Sequence, residues 1–138
     1  MTTETQLDTR DVAIIFVRSG GKSIWQKGYT KPDGTWQDRN YEGISETIEP
    51  GESHTMAAVR GLHEELGLIV GGNELQRLTY SDSLPRTRTA TSPSTGRETL
   101  YRYWYYELEL SPTKAANIPL QVNEGKGTLH LEWRDIPA

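Results

Sequence analysis

The chain has 138 residues, of which 34% are hydrophobic, with four Trp and seven Tyr, enough for one domain with its own core. A net charge of -4 gives no electrostatic footprint for a long nucleic acid, although local basic groups can still hold a phosphorylated small molecule. The absence of cysteine excludes disulfides, thiolate metal sites and cysteine nucleophiles, and no apolar run reaches the length of a membrane span.

Met1 to Arg10 is polar and lacks the apolar centre of a signal peptide, so a cytoplasmic location is the default expectation. Residues 1–10 read as a frayed, flexible arm and residues 11–138 as a single domain. Val12 to Val17 is a β-branched and aromatic run, Ser19-Gly20-Gly21-Lys22 is a turn signal, and Ser23 to Gly28 returns, which predicts a hairpin. Lys31-Pro32-Asp33-Gly34 marks another turn, and Trp36 to Ile48 holds one or two short strands.

A helix follows. Ser53 suits its N-cap and Gly67 its left-handed C-terminus. At about 100° per residue, Val59, Leu62 and Leu66 form the apolar stripe, while Arg60, Glu64 and Glu65 fall on the opposite arc, around Gly61. Neighbouring carboxylates on one exposed face repel each other, and a hard cation such as Mg²⁺ takes oxygen ligands of this kind. An acidic helical face alone is more often simply solvated; the spacing of the flanking residues decides the matter.

Leu75 to Ser81 reads as a strand, and residues 82–98, rich in Ser, Thr, Pro and Arg, as a long mobile loop. In Thr99 to Leu110, Leu100, Trp104, Tyr106, Leu108 and Leu110 share one strand face and Tyr101, Tyr103 and Tyr105 the other. A sheet covered on both sides explains that pattern. Gly127 to Asp135 is the last strand, preceded by a turn containing Glu124. Helices on either side of a mixed sheet give an α/β/α sandwich. His54 and His63 lie at different angles on the helix and its start, and His130 alternates with Leu129 and Leu131. Packing or surface roles suit all three better than metal ligation.

The run from Glu52 to Leu68 resembles the Nudix box, G-x5-E-x7-R-E-U-x-E-E-x-G-U with U aliphatic. Glu52, Arg60, Leu62, Glu64, Glu65, Gly67 and Leu68 match at the right spacings. Two positions depart: Glu46 stands where the pattern has glycine, and Gly61 where it has glutamate. A helix-interior glycine also costs about 1 kcal/mol relative to alanine.

The resemblance implies an α/β fold of the Nudix type and hydrolysis of a diphosphate-linked small molecule with Mg²⁺ or Mn²⁺. It implies Glu64 and Glu65 as metal ligands, an orienting ion pair between Glu52 and Arg60, a main-chain carbonyl near Ser45 as a further ligand, and Glu124 as a ligand from across the sheet. General-base duty falls to Glu124, Glu46 or Glu65. Relatives usually add a final helix, so its absence would leave a face to be covered by a partner, a second copy of the chain included, or left bare. For substrate, Trp36 and Tyr41 are candidate stacking surfaces, and Arg86 and Arg88, with Arg97, candidate phosphate clamps. Taken singly, each has a plainer reading as core filler or solvated surface. The missing carboxylate at Gly61 leaves two accounts: a carboxylate from elsewhere, with Glu46 the nearest candidate, or a domain that binds a nucleotide or protein without turnover.

Overall fold

A computed structural model describes residues 8–78, 86–92 and 95–137. In chain order the strands are β1 (Asp8–Ser19), β2 (Lys22–Thr30), β3 (Trp36–Glu42), β4 (Ile44–Thr47), β5 (Gln76–Leu78), β6 (Arg86–Thr91), β7 (Glu98–Glu109), β8 (Gln121–Glu124) and β9 (Gly127–Asp135). The helices are α1 (His54–Leu66) and the five-residue α2 (Pro112–Ala116). The strands join in the order β5-β7-β1-β2-β9-β8, with β3 added to β2, β4 to β1 and β6 to β7. β1 and β7 run parallel from Asp8↔Thr99 to Arg18↔Glu109, and the other described pairs are antiparallel. The sheet is therefore mixed, as expected.

The β1–β2 hairpin closes on Gly20 and Gly21, whose φ values of 56° and 78° only glycine adopts cheaply in sequence. Alternation along β1 sends Ala13, Ile15 and Val17 into the core, each wholly buried, with Ile24, Leu129 and Tyr106 from neighbouring strands. Helix α1 lies against this layer. The Ser53 hydroxyl accepts from the Met56 amide at 3.1 Å, and Gly67, at φ 69°, returns its N–H to the His63 carbonyl at 3.0 Å. Ala57, Ala58, Gly61, Leu62 and Leu66 are the buried face, so small side chains bring the helix backbone close to the sheet. Val59 sits at the margin, partly buried.

Three boundaries differ from the sequence reading. Strand β1 starts at Asp8, because Asp8, Thr9 and Arg10 pair with Thr99, Leu100 and Tyr101 and Arg97 pairs with Asp8 at 3.2 Å; a polar segment is ordered here by a parallel ladder. Residues 1–7 lie outside the described part. The expected long loop contains β6, whose alternating Thr and Arg residues pair with β7 from Arg86↔Tyr103 to Thr91↔Glu98. Its polar composition suits an edge strand. Of the strand expected at Leu75 to Ser81, Gln76–Leu78 is present as β5, and residues 79–81 lie outside the described part. Helix α2 sets Ala115 and Ala116 beside Ser19, Lys22 and Trp133, near the turn of the first hairpin. Among the described residues no helix is long and apolar enough to cross a membrane.

Candidate active site

Arg60 is the centre of the site. Its Nε and Nη2 donate to the two carboxylate oxygens of Glu52, both at 2.9 Å, which is the planar two-pronged match that guanidinium allows. Nη2 also donates to the Thr47 carbonyl at 2.8 Å, and Nη1 to Glu46 at 2.8 Å and, more loosely, to Glu64 at 3.5 Å. Glu52 reaches back to the Glu49 amide at 3.1 Å. The arginine thus ties β4, the turn after it and the helix into one unit.

The two helical glutamates do not share an exposed face. Glu64 is 54% exposed, whereas Glu65 points inward, where its Oε2 is buried with no hydrogen-bond partner. The difference follows from packing: α1 lies against β4 as well as β1, so positions 61 and 65, one turn apart, are covered. Burial, followed by the charges of Glu124 and Glu46, pushes the Glu65 carboxyl up to about 8. Glu46 is raised too, first by burial and then by Glu64 and Glu124, against the pull of Arg60. Four carboxylates therefore repel one another around one partly buried spot. Among the described residues no three His, Asp or Glu side chains converge closely enough to grip an ion as placed. The all-oxygen donor set and the orphaned Glu65 oxygen nevertheless fit a hard divalent cation, which would supply the missing counter-charge.

On the outer side of β1 and β7 lies a groove of about 680 Å³, whose lining includes Ile14, Phe16, Tyr41, Tyr101, Tyr103, Tyr105, Arg86 and Arg88, together with Gln26 and Ser45. Tyr101 stacks with Tyr103 at 6.2 Å between centroids, and Phe16 with Tyr105 at 5.8 Å. Ser45 and Glu46 are consecutive on β4, so the groove and the carboxylates meet across one strand.

Of the residues singled out from sequence, Glu46, Glu52, Arg60 and Glu64 are joined directly, and Glu65 and Glu124 lie within electrostatic reach of them. Glu124 closes β8 rather than sitting in a free turn, and its carbonyl accepts from the Tyr29 hydroxyl at 2.9 Å. Tyr41, Arg86 and Arg88 share the groove, which Trp36 does not join. Trp36 lies over Gly28, where a side chain would collide with its ring, and packs on His130 at 5.1 Å. His130 is within 2.8 Å of the Thr30 hydroxyl, and His54 stacks on Trp104 at 4.2 Å, both packing roles. Arg39 escaped the sequence reading. It donates to Gln26 at 2.9 Å, lies 4.9 Å over the Tyr29 ring, and is the cation that acts on Glu65. No local pattern marks it, because a bulge between Gln26 and Gly28 and the positive φ of Asn40 break the β2–β3 register.

A family model described as NUDIX domain matches residues 8–136. The chain belongs to the Nudix family. Among solved structures it resembles a NUDIX-family hydrolase from Clostridium perfringens (TM-score 0.52, 15% identity, covering 91% of this chain and 80% of that one). It also resembles the Escherichia coli dihydroneopterin triphosphate pyrophosphohydrolase (0.51, 16%, 94% and 84%) and a binary complex of a C. elegans Ap4A hydrolase (0.51, 16%, 94% and 80%). At these identities the likeness is one of fold. No curated protein matches the sequence significantly.

Proposed function

We propose that the protein is a Nudix-type hydrolase that cleaves a diphosphate-linked small molecule, a nucleoside-diphosphate derivative being the preferred class, with Mg²⁺ or Mn²⁺. The observation that carries this reading is the Glu65 oxygen, buried without a partner among the carboxylates of Glu46, Glu64 and Glu124. Strongly perturbed groups of this kind cluster at functional sites, and a hard cation offers the counter-charge these carboxylates lack. Bound there, the divalent ion would neutralise phosphate charge and lower the pKa of a water molecule. Glu64 and Glu65 offer the anchoring oxygens, with Glu124 and the main chain near Ser45 as further donors. Arg60 ties α1 to the turn at Glu52 and, through Glu46 and the Thr47 carbonyl, to β4, which sets the helix that carries Glu64 and Glu65 against that strand. The tyrosines of the groove offer a stacking surface for a base, and Arg86 and Arg88 on its rim suit phosphate.

The names of the similar structures support nucleotide-like substrates: Ap4A for one and dihydroneopterin triphosphate for another. The test is product release in Mg²⁺ or Mn²⁺ from nucleoside triphosphates, ADP-ribose, dinucleoside polyphosphates and nucleotide sugars. Turnover of at least one class, abolished in Glu65→Gln, is the expected result. A second reading, a nucleotide-binding module without turnover, draws on the missing carboxylate at Gly61. Nucleotide binding with no turnover of any substrate in that set would establish it instead.

A further inference from the structure

The two departures from the box are neighbours in space. A Cβ built on Gly61 would stand 3.0 Å from Glu46 Cβ and 3.2 Å from Glu46 Oε2. The Glu46 side chain therefore crowds the first atom of any side chain at position 61, and one of its carboxylate oxygens lies in near contact with that point. The pattern has glycine at the strand position and glutamate at the helix position; here the two are exchanged, and the exchange is sterically reciprocal. Glu46 and a residue larger than glycine at 61 could not both keep their present places without one giving way.

The orientation of Glu46 adds to this. Its Oε1 is held by Arg60 Nη1 at 2.8 Å, while Oε2 is the oxygen turned towards Gly61, one helical turn before Glu65, whose own Oε2 is buried. Ile44 and Glu46 alternate with Ser45 on β4, so the strand fixes the side of the sheet from which the carboxylate comes. Resting on the metal-dependent reading above, we infer that Glu46 delivers from β4 the cation-facing carboxylate that the family pattern carries on the helix at position 61. Glycine at 61 is then the space that lets Glu46 enter. The loss of a helical glutamate is a relocation of the donor, and the site keeps its carboxylate count.

The test is Mn²⁺ binding to the metal-free protein, read from the electron paramagnetic resonance signal of free Mn²⁺, with circular dichroism to confirm folding. Glu46→Gln keeps the shape and the acceptor for Arg60 but removes the charge. It is expected to weaken Mn²⁺ binding by at least about tenfold. The double exchange Glu46→Gly with Gly61→Glu restores the family pattern and is expected to recover the affinity to within a few-fold. Unchanged Mn²⁺ affinity in folded Glu46→Gln overturns the inference, leaving Glu46 as a structural partner of Arg60. If the double variant does not fold, Glu46→Gln decides alone, since it is nearly isosteric. Glu65→Gln is the control for the underlying reading: if it binds Mn²⁺ as tightly as the unaltered protein, or if the unaltered protein binds none, the metal-dependent function itself fails, and Glu46 with it.

Discussion

Glu65 shows how one buried oxygen can couple stability to pH. Its folded-state pKa of about 8 lies above the ordinary 4.5, so the folded protein holds a proton there that the unfolded chain has released. The stabilisation is complete below about 4.5 and is lost as pH rises towards 8. In metal-free protein, this one group is expected to lower unfolding free energy by up to about 1.4 kcal/mol per pH unit across that window. Urea unfolding in EDTA at several pH values measures it, and the contribution should vanish in Glu65→Gln; an identical pH slope in that variant would refute the assignment. Arg60 makes the opposite case of a fully matched charge. Lysine cannot reproduce its two-pronged grip on Glu52 together with the bonds to Glu46 and the Thr47 carbonyl. Arg60→Lys is expected to cost about 1–3 kcal/mol of stability by the same denaturation measurement.

At the scale of the element, α1 was legible from end to end. Ser53, Gly67 and the spacing of Leu62 and Leu66 are local signals, and local geometry settles them. Ser53→Ala removes the bond to the Met56 amide and should lower stability by about 1 kcal/mol. Gly67→Ala places a side chain at φ 69° and should cost a similar amount, about 1 kcal/mol. Both are checked by thermal or urea unfolding, and neither residue belongs to the carboxylate cluster. Strand β7 was equally plain, because alternation over a dozen residues divides Trp104, Tyr106 and Leu108 from Tyr101, Tyr103 and Tyr105. Strand β6 was not. Its Arg-Thr-Arg-Thr run carries no apolar signal, and it becomes a strand only because the free edge of β7 is there to pair with it.

For the whole molecule, the sheet separates two environments. On one side α1 seals the hydrophobic core and buries an oxygen of Glu65 while Glu64 stays exposed; on the other the tyrosines of β7, with Phe16, Tyr41, Arg86 and Arg88, line an open groove. Tyr103 lies mid-row, stacked on Tyr101 and tilted against Tyr105, with 6.2 Å between ring centroids in each pair. If bases stack there, Tyr103→Ala should weaken nucleotide binding by about 1–3 kcal/mol in calorimetry while leaving Mn²⁺ binding intact. Equal nucleotide affinity in the variant would place the base elsewhere.

The residues alone place α1 with its caps and the two alternating faces of β7, and the box-like run from Glu52 to Leu68 points to the α/β fold. Each of these is written in short-range spacing, which the 3.6- and two-residue periods translate directly into faces. The sequence carried no account of which glutamate is buried, because that depends on what covers the helix. Only the packing of β4 on α1 separates Glu65 from Glu64 and sets Glu46 against Gly61, residues 15 apart in the chain. Trp36 was drawn towards His130 and Arg39 towards Glu65 by a hairpin register that a bulge and a left-handed asparagine control. Burial and charge proximity are sums over distant segments, and only the folded chain brings those segments together.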